Sequence, residues 1–243
     1  MLPQLTLYTA KCCPFAQRVE MAFSETGIKF SRCEIDLLKK PDWYSRVNTA
    51  LEVPALSYGG SSVDPSRPSP DSIILTESLV LVELVNDLSN NQLLPSTLTP
   101  VQRGKARYFM TQISNKLVPA YVGTMFKGES ADRILTAVDA IQCLLPAEGY
   151  LLGEQFTMAD IVAAPFLART KVVLSIIGQN VSAAQATLNT LETDDKFSRF
   201  RKYFDDITGR ESFKTTYFED IVKADISERL KILATQAEAG RLN

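Results

Sequence analysis

Residues 4–35 read QLTLYTAKCCPFAQRVEMAFSETGIKFSRCEI, and the hydrophobic pattern changes twice within them. Gln4 to Tyr8 reads as a short β-strand ending at Thr9-Ala10-Lys11. Pro14 stands where a helix begins, because its missing N–H costs nothing at the first helical position. Phe15, Val19, Ala22 and Phe23 then recur at helical spacing, and Gly27 closes the run. Ile28 to Ile35 alternates as a second strand. Strand, helix and strand within about 35 residues predict two parallel strands joined by a right-handed crossover.

Outward from this unit, Lys40-Pro41-Asp42-Trp43 opens a short helical turn. Val53 to Tyr58 is a third strand led by Pro54, and Ser72 to Leu75 a fourth, paired with it as a hairpin. The intervening Gly59 to Asp71 is a loop rich in Gly, Ser and Pro. Glu77 to Leu88 is an amphipathic helix, and Asn90 to Pro100 is a polar, proline-punctuated linker. From Val101 onward no convincing strand appears. Val101 to Lys127 is helical with a kink expected at Pro119, and Asp132 to Leu145 is helical. Thr157-Met158-Ala159-Asp160 forms a capping box ahead of the apolar run Ile161 to Ile177. Asp194 to Tyr203 and Glu219 to Glu238 supply two more helices. The expected organisation is an α/β domain over residues 1–89, a linker over 90–100 and an all-α domain over 101–243.

Composition limits the chemistry. The chain has 243 residues, 45% hydrophobic and 22% charged, which is the composition of a folded protein. A net charge of −2 gives no electrostatic footprint for nucleic acid or acidic lipid. The absence of histidine excludes Ser-His-Asp and Cys-His catalysis and any imidazole metal site, so no metal is expected. The start lacks the pattern of a secretory signal, and no uncharged apolar stretch of ~18 residues predicts a membrane span. Cys12, Cys13, Cys33 and Cys143 fit neither a disulfide framework nor a C-x-x-C pair. Cys33 and Cys143 read as small buried hydrophobes, and reduced thiols point to the cytoplasm.

The chemistry centres on Cys13-Pro14-Phe15-Ala16-Gln17-Arg18. Cys13 lies in the strand-to-helix turn, which sets its sulfur at a helix N-terminus. Unpaired N–H groups and the helix dipole stabilise a thiolate there, and such sites lower a cysteine pKa from ~8.5 toward 3.5–7.5. Lys11 and Arg18 add positive potential. The position two residues past Pro14 holds Ala16, so no internal disulfide of thioredoxin type can form. A redox cycle must then use a separate small thiol, of which glutathione is the abundant cytosolic example. Val53-Pro54 falls where a thioredoxin-like fold has a cis-proline, whose neighbour can pair its backbone with an extended peptide. Thr76-Glu77-Ser78 opens a helix. Its serine offers a hydroxyl and an N–H to a carboxylate, and Glu77 suits an ammonium.

Taken in order and spacing, the CPFAQR turn, Ile35-Asp36-Leu37 with Lys40-Pro41-Asp42-Trp43, the Val53-Pro54 step and Glu77-Ser78 resemble the cytosolic glutathione transferases, most closely the omega class. The resemblance continues through Val118 to Gly123 and Phe156 to Asp160, and is weak after Gly178. It implies an N-terminal thioredoxin-like domain, a C-terminal all-helical glutathione-transferase domain and a homodimer. It further implies a glutathione-dependent thiol transferase or reductase in which Cys13 forms a mixed disulfide with glutathione. Phe15, Lys40, Val53, Pro54, Glu77 and Ser78 would bind the tripeptide: Lys40 its glycine carboxylate, Val53 its cysteinyl backbone, Glu77 and Ser78 its γ-glutamyl end. Small hydrophobic or glutathionylated substrates would lie between the domains, near Phe15, Tyr121, Met125 and Arg169. The alternative is a ligand-binding transferase, motivated by Tyr108, Phe109, Met110, Tyr121, Met125 and Phe126. Chloride intracellular channels share the Cys-Pro-Phe turn. The charges that follow here, among them Arg18, Glu20, Glu25 and Lys29, make a membrane span at that point unfavourable.

Overall fold

The computed structural model describes residues 3–61 and 63–241. Residue 62 of the Gly59–Asp71 loop and the termini of the two expected domains, residues 1, 2, 242 and 243, lie outside the described residues. The chain forms two compact units. The first comprises Met1–Thr99 and Glu211–Tyr217, the second Pro100–Arg210 and Phe218–Asn243.

In the first unit, β1 (Leu5–Thr9), β2 (Ser31–Glu34), β3 (Ala55–Tyr58) and β4 (Ile73–Thr76) form one sheet in the order β2-β1-β3-β4. β1 runs parallel to β2 with Tyr8 opposite Cys33, and antiparallel to β3 with Tyr8 opposite Ala55. All five residues of β1 are buried, as a central strand requires. Helix α1 (Pro14–Thr26) connects the parallel pair. It ends at Gly27, whose φ of 68° is the left-handed conformation that glycine adopts without Cβ strain. Helix α2 (Ser78–Leu88) packs against α1. The observed strands are one to three residues shorter at their starts than the hydrophobic pattern suggests. The Gly59–Asp71 loop is anchored to the sheet, since the Tyr8 hydroxyl donates to the Pro65 carbonyl at 2.7 Å.

The second unit is helical: α3 (Pro100–Gln112), α4 (Val118–Phe126), α5 (Asp132–Gln142), α6 (Met158–Gly178), α7 (Ser182–Thr193), α8 (Ser198–Thr208) and, after the short α9 (Glu211–Lys214) of the first unit, α10 (Glu219–Arg241). Between α3 and α4 the chain stays helical through a π turn, Ile113–Leu117, in which the Val118 N–H bonds back to the Ile113 carbonyl. Pro119 next to it has no N–H to give and would crowd the carbonyl four residues back. The wider turn accommodates that conflict at the place where the sequence predicts a kink. No helix was expected over residues 182–193, where Ala184, Leu188 and Leu191 recur at helical spacing; α7 forms there and buries that face, packed against α6.

α6 is the core of this unit. It is long and apolar enough to cross a membrane, with a mean hydropathy of 1.7, but 72% of that stretch is buried within the protein, the position of a core helix. Its N-terminus carries the capping box read from the sequence. The Asp160 carboxylate accepts from the N–H groups of Leu151 and Thr157, the Thr157 hydroxyl and the Tyr203 hydroxyl, all at 2.9–3.0 Å. Burial pushes the Asp160 pKa up, and these hydrogen bonds oppose the shift. One buried carboxylate thus joins the start of α6, the preceding loop and α8. Asp160→Ala strands four buried donors and is expected to destabilise the protein by about 3 kcal/mol, with Tyr203→Phe costing about 1 kcal/mol. Urea and thermal unfolding of the two variants measure this difference.

Candidate functional site at the start of helix α1

The site grows from the β1–α1 turn. The Cys13 N–H bonds the Ala10 carbonyl at 2.9 Å, and the Gln17 N–H bonds the Cys13 carbonyl at 3.1 Å, so Cys13 is the residue that caps α1 with Pro14 behind it. Its side chain satisfies none of the helix's own first N–H groups. It instead lies 8% exposed in an apolar cluster with Tyr8, Ala10, Ala16, Ile35, Tyr44, Val47, Val53 and Ala55. The thiol donates to the Val53 carbonyl at 3.6 Å, and the Val53–Pro54 peptide is cis. The carbonyl before Val53 is held as well: Glu52 accepts from the Tyr44 hydroxyl at 2.7 Å and from Asn48 Nδ2 at 2.8 Å.

A second helix start lies in the same unit. Glu77 caps α2 with φ 72° and ψ 112°, a conformation that side-chain-bearing residues rarely adopt. It occurs where the chain must turn from β4 into α2. Strain of this kind persists only where surrounding structure imposes it, and it concentrates at ligand-holding turns. Ser78, 6% exposed, is the first residue of α2, so its N–H is among those with no partner inside the helix. Its hydroxyl accepts from Arg18 Nη1 at 3.2 Å. Arg18 is 1% exposed, and its guanidinium lies 5.3 Å from the centre of the Phe15 ring. Burial pulls the Arg18 pKa down to about 9, against the opposing influence of Cys13, so the group remains cationic at neutral pH.

The turn is also clamped from the sheet edge. Buried Glu20 accepts from the Thr9 hydroxyl and pairs with Arg32. Arg32 also donates to Glu34 at 3.0 Å, and Glu34 accepts from the Lys11 N–H at 2.7 Å. Burial raises the Glu20 pKa, while the Thr9 hydrogen bond and the Arg32 charge lower it.

Of the residues singled out from sequence, Cys13 and Val53 are brought into contact, and Ser78 is joined to Phe15 through Arg18. Pro54 is buried beside Val53, and Lys40 is exposed in the loop after β2. Tyr121 and Met125 on α4 and Arg169 on α6 belong to the second unit, and none is more than 5% exposed. The Tyr121 ring meets Phe166 edge-on at 5.6 Å, and Arg169 Nη1 donates to the Pro165 carbonyl at 3.2 Å. Cys33 and Cys143 depart from the expected burial: Cys33 is half-buried at the sheet edge and Cys143 is exposed just beyond α5. Cys33 sits on an edge strand, and Cys143 follows the last turn of its helix, where packing ends. No disulfide joins the four cysteines, and among the described residues no group of three or more acidic or cysteine side chains could hold a metal ion.

Sequence reasoning missed the left-handed backbone of Glu77 and the bridging place of Arg18. The only sequence signal for the latter was a cation among the residues Ala16 to Phe23, all of which are buried.

Residues 7–92 match the family model described as Glutathione S-transferase, N-terminal domain, and residues 120–206 match Glutathione S-transferase, C-terminal domain. The chain is similar to glutathione transferase Omega 1C from Trametes versicolor, with 45% identity and a TM-score of 0.88 over 95% of this chain and 98% of that one. It is also similar to Omega 2S from the same organism, solved in complex with 2,4-dihydroxybenzophenone, with 36% identity and a TM-score of 0.84 over 93% and 98% of the two chains. Protein IN2-1 homolog B from Oryza sativa subsp. indica is 29% identical over 175 residues, a match spanning 70% of this chain and 66% of that protein.

Arg32→Met leaves the Glu20 carboxylate buried without its cation and is expected to cost about 1–3 kcal/mol at neutral pH. The folded-state Glu20 pKa is raised, so its ionised form is the disfavoured one. The deficit against the unchanged protein should therefore shrink as pH falls through the Glu20 pKa and the carboxyl takes up a proton. Paired urea titrations at neutral and mildly acidic pH measure it. A deficit that grows on acidification contradicts this account of the clamp.

Proposed function

The chain belongs to the glutathione S-transferase family, similar to its omega class, and we propose that it is a glutathione-dependent thiol transferase or reductase that removes glutathione from disulfide or thioether substrates. The observation that carries this reading is a cysteine, Cys13, at the N-terminus of α1 beside the Val53 carbonyl. A hydroxyl at this place could only polarise the thiol of glutathione; a thiol can itself become bonded to it.

In the proposed cycle the Cys13 thiolate attacks the glutathionyl sulfur of a mixed disulfide. The substrate's S–S bond breaks, and the released substrate thiolate takes up a proton. Cys13 is left in a disulfide with glutathione. The thiolate of a second glutathione attacks the glutathionyl sulfur, oxidised glutathione leaves, and the Cys13 thiolate returns. Ala16 supports the need for an external second thiol, because no cysteine stands there to resolve the disulfide internally.

The tripeptide is proposed to lie with its cysteinyl backbone along Val53 and Pro54, its γ-glutamyl end at Glu77 and Ser78, its glycine carboxylate toward Lys40, and Phe15 beside it. Two helix starts favour negative charge in such a complex, that of α1 the Cys13 thiolate and that of α2 the γ-glutamyl carboxylate. Tyr121, Met125 and Arg169 are the proposed contacts of the substrate's apolar part. Their burial means that side chains around them must move to admit it. We extend the reading to a homodimer located in the cytoplasm. The dimer is supported by apolar side chains left exposed at the β4 edge and on α2, Ile73 at 60% and Val80 at 51%. Four cysteines without a disulfide support the compartment.

A second reading, the binding of hydrophobic compounds without turnover, is favoured by the benzophenone held by Trametes Omega 2S. Of the side chains that motivate it, Phe109 and Met110 are core, whereas Tyr108 and Phe126 are exposed.

Cys13→Ser is expected to lower deglutathionylation of a model mixed disulfide by at least about 100-fold. It should also abolish the single glutathione adduct that mass spectrometry finds on the unchanged protein after exposure to oxidised glutathione. Wild-type turnover by the serine variant rules out the thiol transferase reading. Saturable binding of benzophenones that survives the substitution, with no turnover by the unchanged protein, selects the second.

A further inference from the structure

Arg18 is the least expected side chain in the first unit. It is 1% exposed on a helix whose neighbouring side chains pack against the sheet and α2, and desolvating a guanidinium is costly unless its charge and donors are used. Two contacts and the general lean of helical side chains show where it is directed. Nη1 donates to the Ser78 hydroxyl at 3.2 Å, at the first residue of α2. The planar group lies over the Phe15 ring, two residues beyond the nucleophile's position. Helical side chains lean toward the N-terminus of their own helix, which for α1 is the Cys13 end. The guanidinium therefore touches the start of α2 through Ser78 and the first turn of α1 through Phe15.

We infer that Arg18 is a positioning residue: one buried cation holds the Ser78 hydroxyl in place for the γ-glutamyl carboxylate and at the same time favours the ionised form of Cys13. The first role rests on the glutathione reading given above; the second does not need it. The electrostatic influence between Arg18 and Cys13 is consistent with this geometry. Among the other titratable groups near the sulfur, Tyr44 is pushed above its usual range by burial, so it stays neutral wherever the thiol titrates. The lysine alternative is informative because an ammonium supplies charge without the planar fork of an arginine.

The two roles separate experimentally. The rate at which iodoacetamide alkylates Cys13 across pH, followed by peptide mass spectrometry in the absence of glutathione, reports the thiol's ionisation. The KM for glutathione and kcat, measured with a mixed-disulfide substrate, report the subsite. Arg18→Met should move the alkylation profile up by about one pH unit and raise the glutathione KM about tenfold or more. Arg18→Lys should restore the profile while leaving KM raised. Ser78→Ala should raise KM with the profile of the unchanged protein. If Arg18→Met fails to fold, the lysine and alanine variants carry the test: a glutathione KM unchanged in Arg18→Lys overturns the positioning role. A folded Arg18→Met with an unshifted profile and an unchanged KM overturns the whole inference. Failure of the unchanged protein to take glutathione on Cys13 sinks instead the function on which the Ser78 role rests, and the alkylation profiles still decide the other.

Discussion

The start of α1 is the constraint on which the first unit turns. Pro14 can neither donate a backbone hydrogen bond nor leave its fixed φ, so the helix can begin with it but cannot easily extend further back. Cys13 is consequently held at the cap, its N–H spent on Ala10 and its carbonyl on Gln17. The only freedom left to the side chain is where to point, and the apolar cluster beneath β1 decides that. The sulfur faces Val53, on the segment that leads into β3. Sequence neighbours thus set the residue at the cap, and a carbonyl 40 positions away meets its thiol.

Three buried charges show three ways of meeting the cost of desolvation. Asp160 is surrounded by donors from its own helix start, the preceding loop and α8, and serves the packing of the second unit. Glu20 is paired through Arg32 to the sheet edge and so to the backbone of Lys11, in the turn that leads to Cys13. Arg18 meets the Ser78 hydroxyl and the Phe15 ring, and so touches the first turns of both α2 and α1.

The βαβ start, the hairpin, the capping box and the helical second half were legible because each leaves a short-range mark: period-two or helical spacing, a proline at a helix start, a glycine at a helix end. Cys13 as the residue at the helix cap was legible for the same reason, since a cap position is a local property. The missed features depend on contacts distant in sequence. The π turn before Pro119 answers a conflict between a proline and a carbonyl within a packed helix. The exposure of Cys143 follows from where packing stops, which cysteine's preference for burial does not report.

By itself the order of residues determined the kinds of element, the thiol at the cap and the lack of a second thiol to resolve it, because those are consequences of neighbouring backbone and side-chain chemistry. Only the tertiary structure decided that Glu77 takes a left-handed backbone, that Glu211–Tyr217 packs with the first unit through contacts such as Gln17 to Thr216 at 3.3 Å, and that Arg18 reaches Ser78. Each of these joins residues from separate elements, and the energy of such a contact exists only once the elements have been packed against one another.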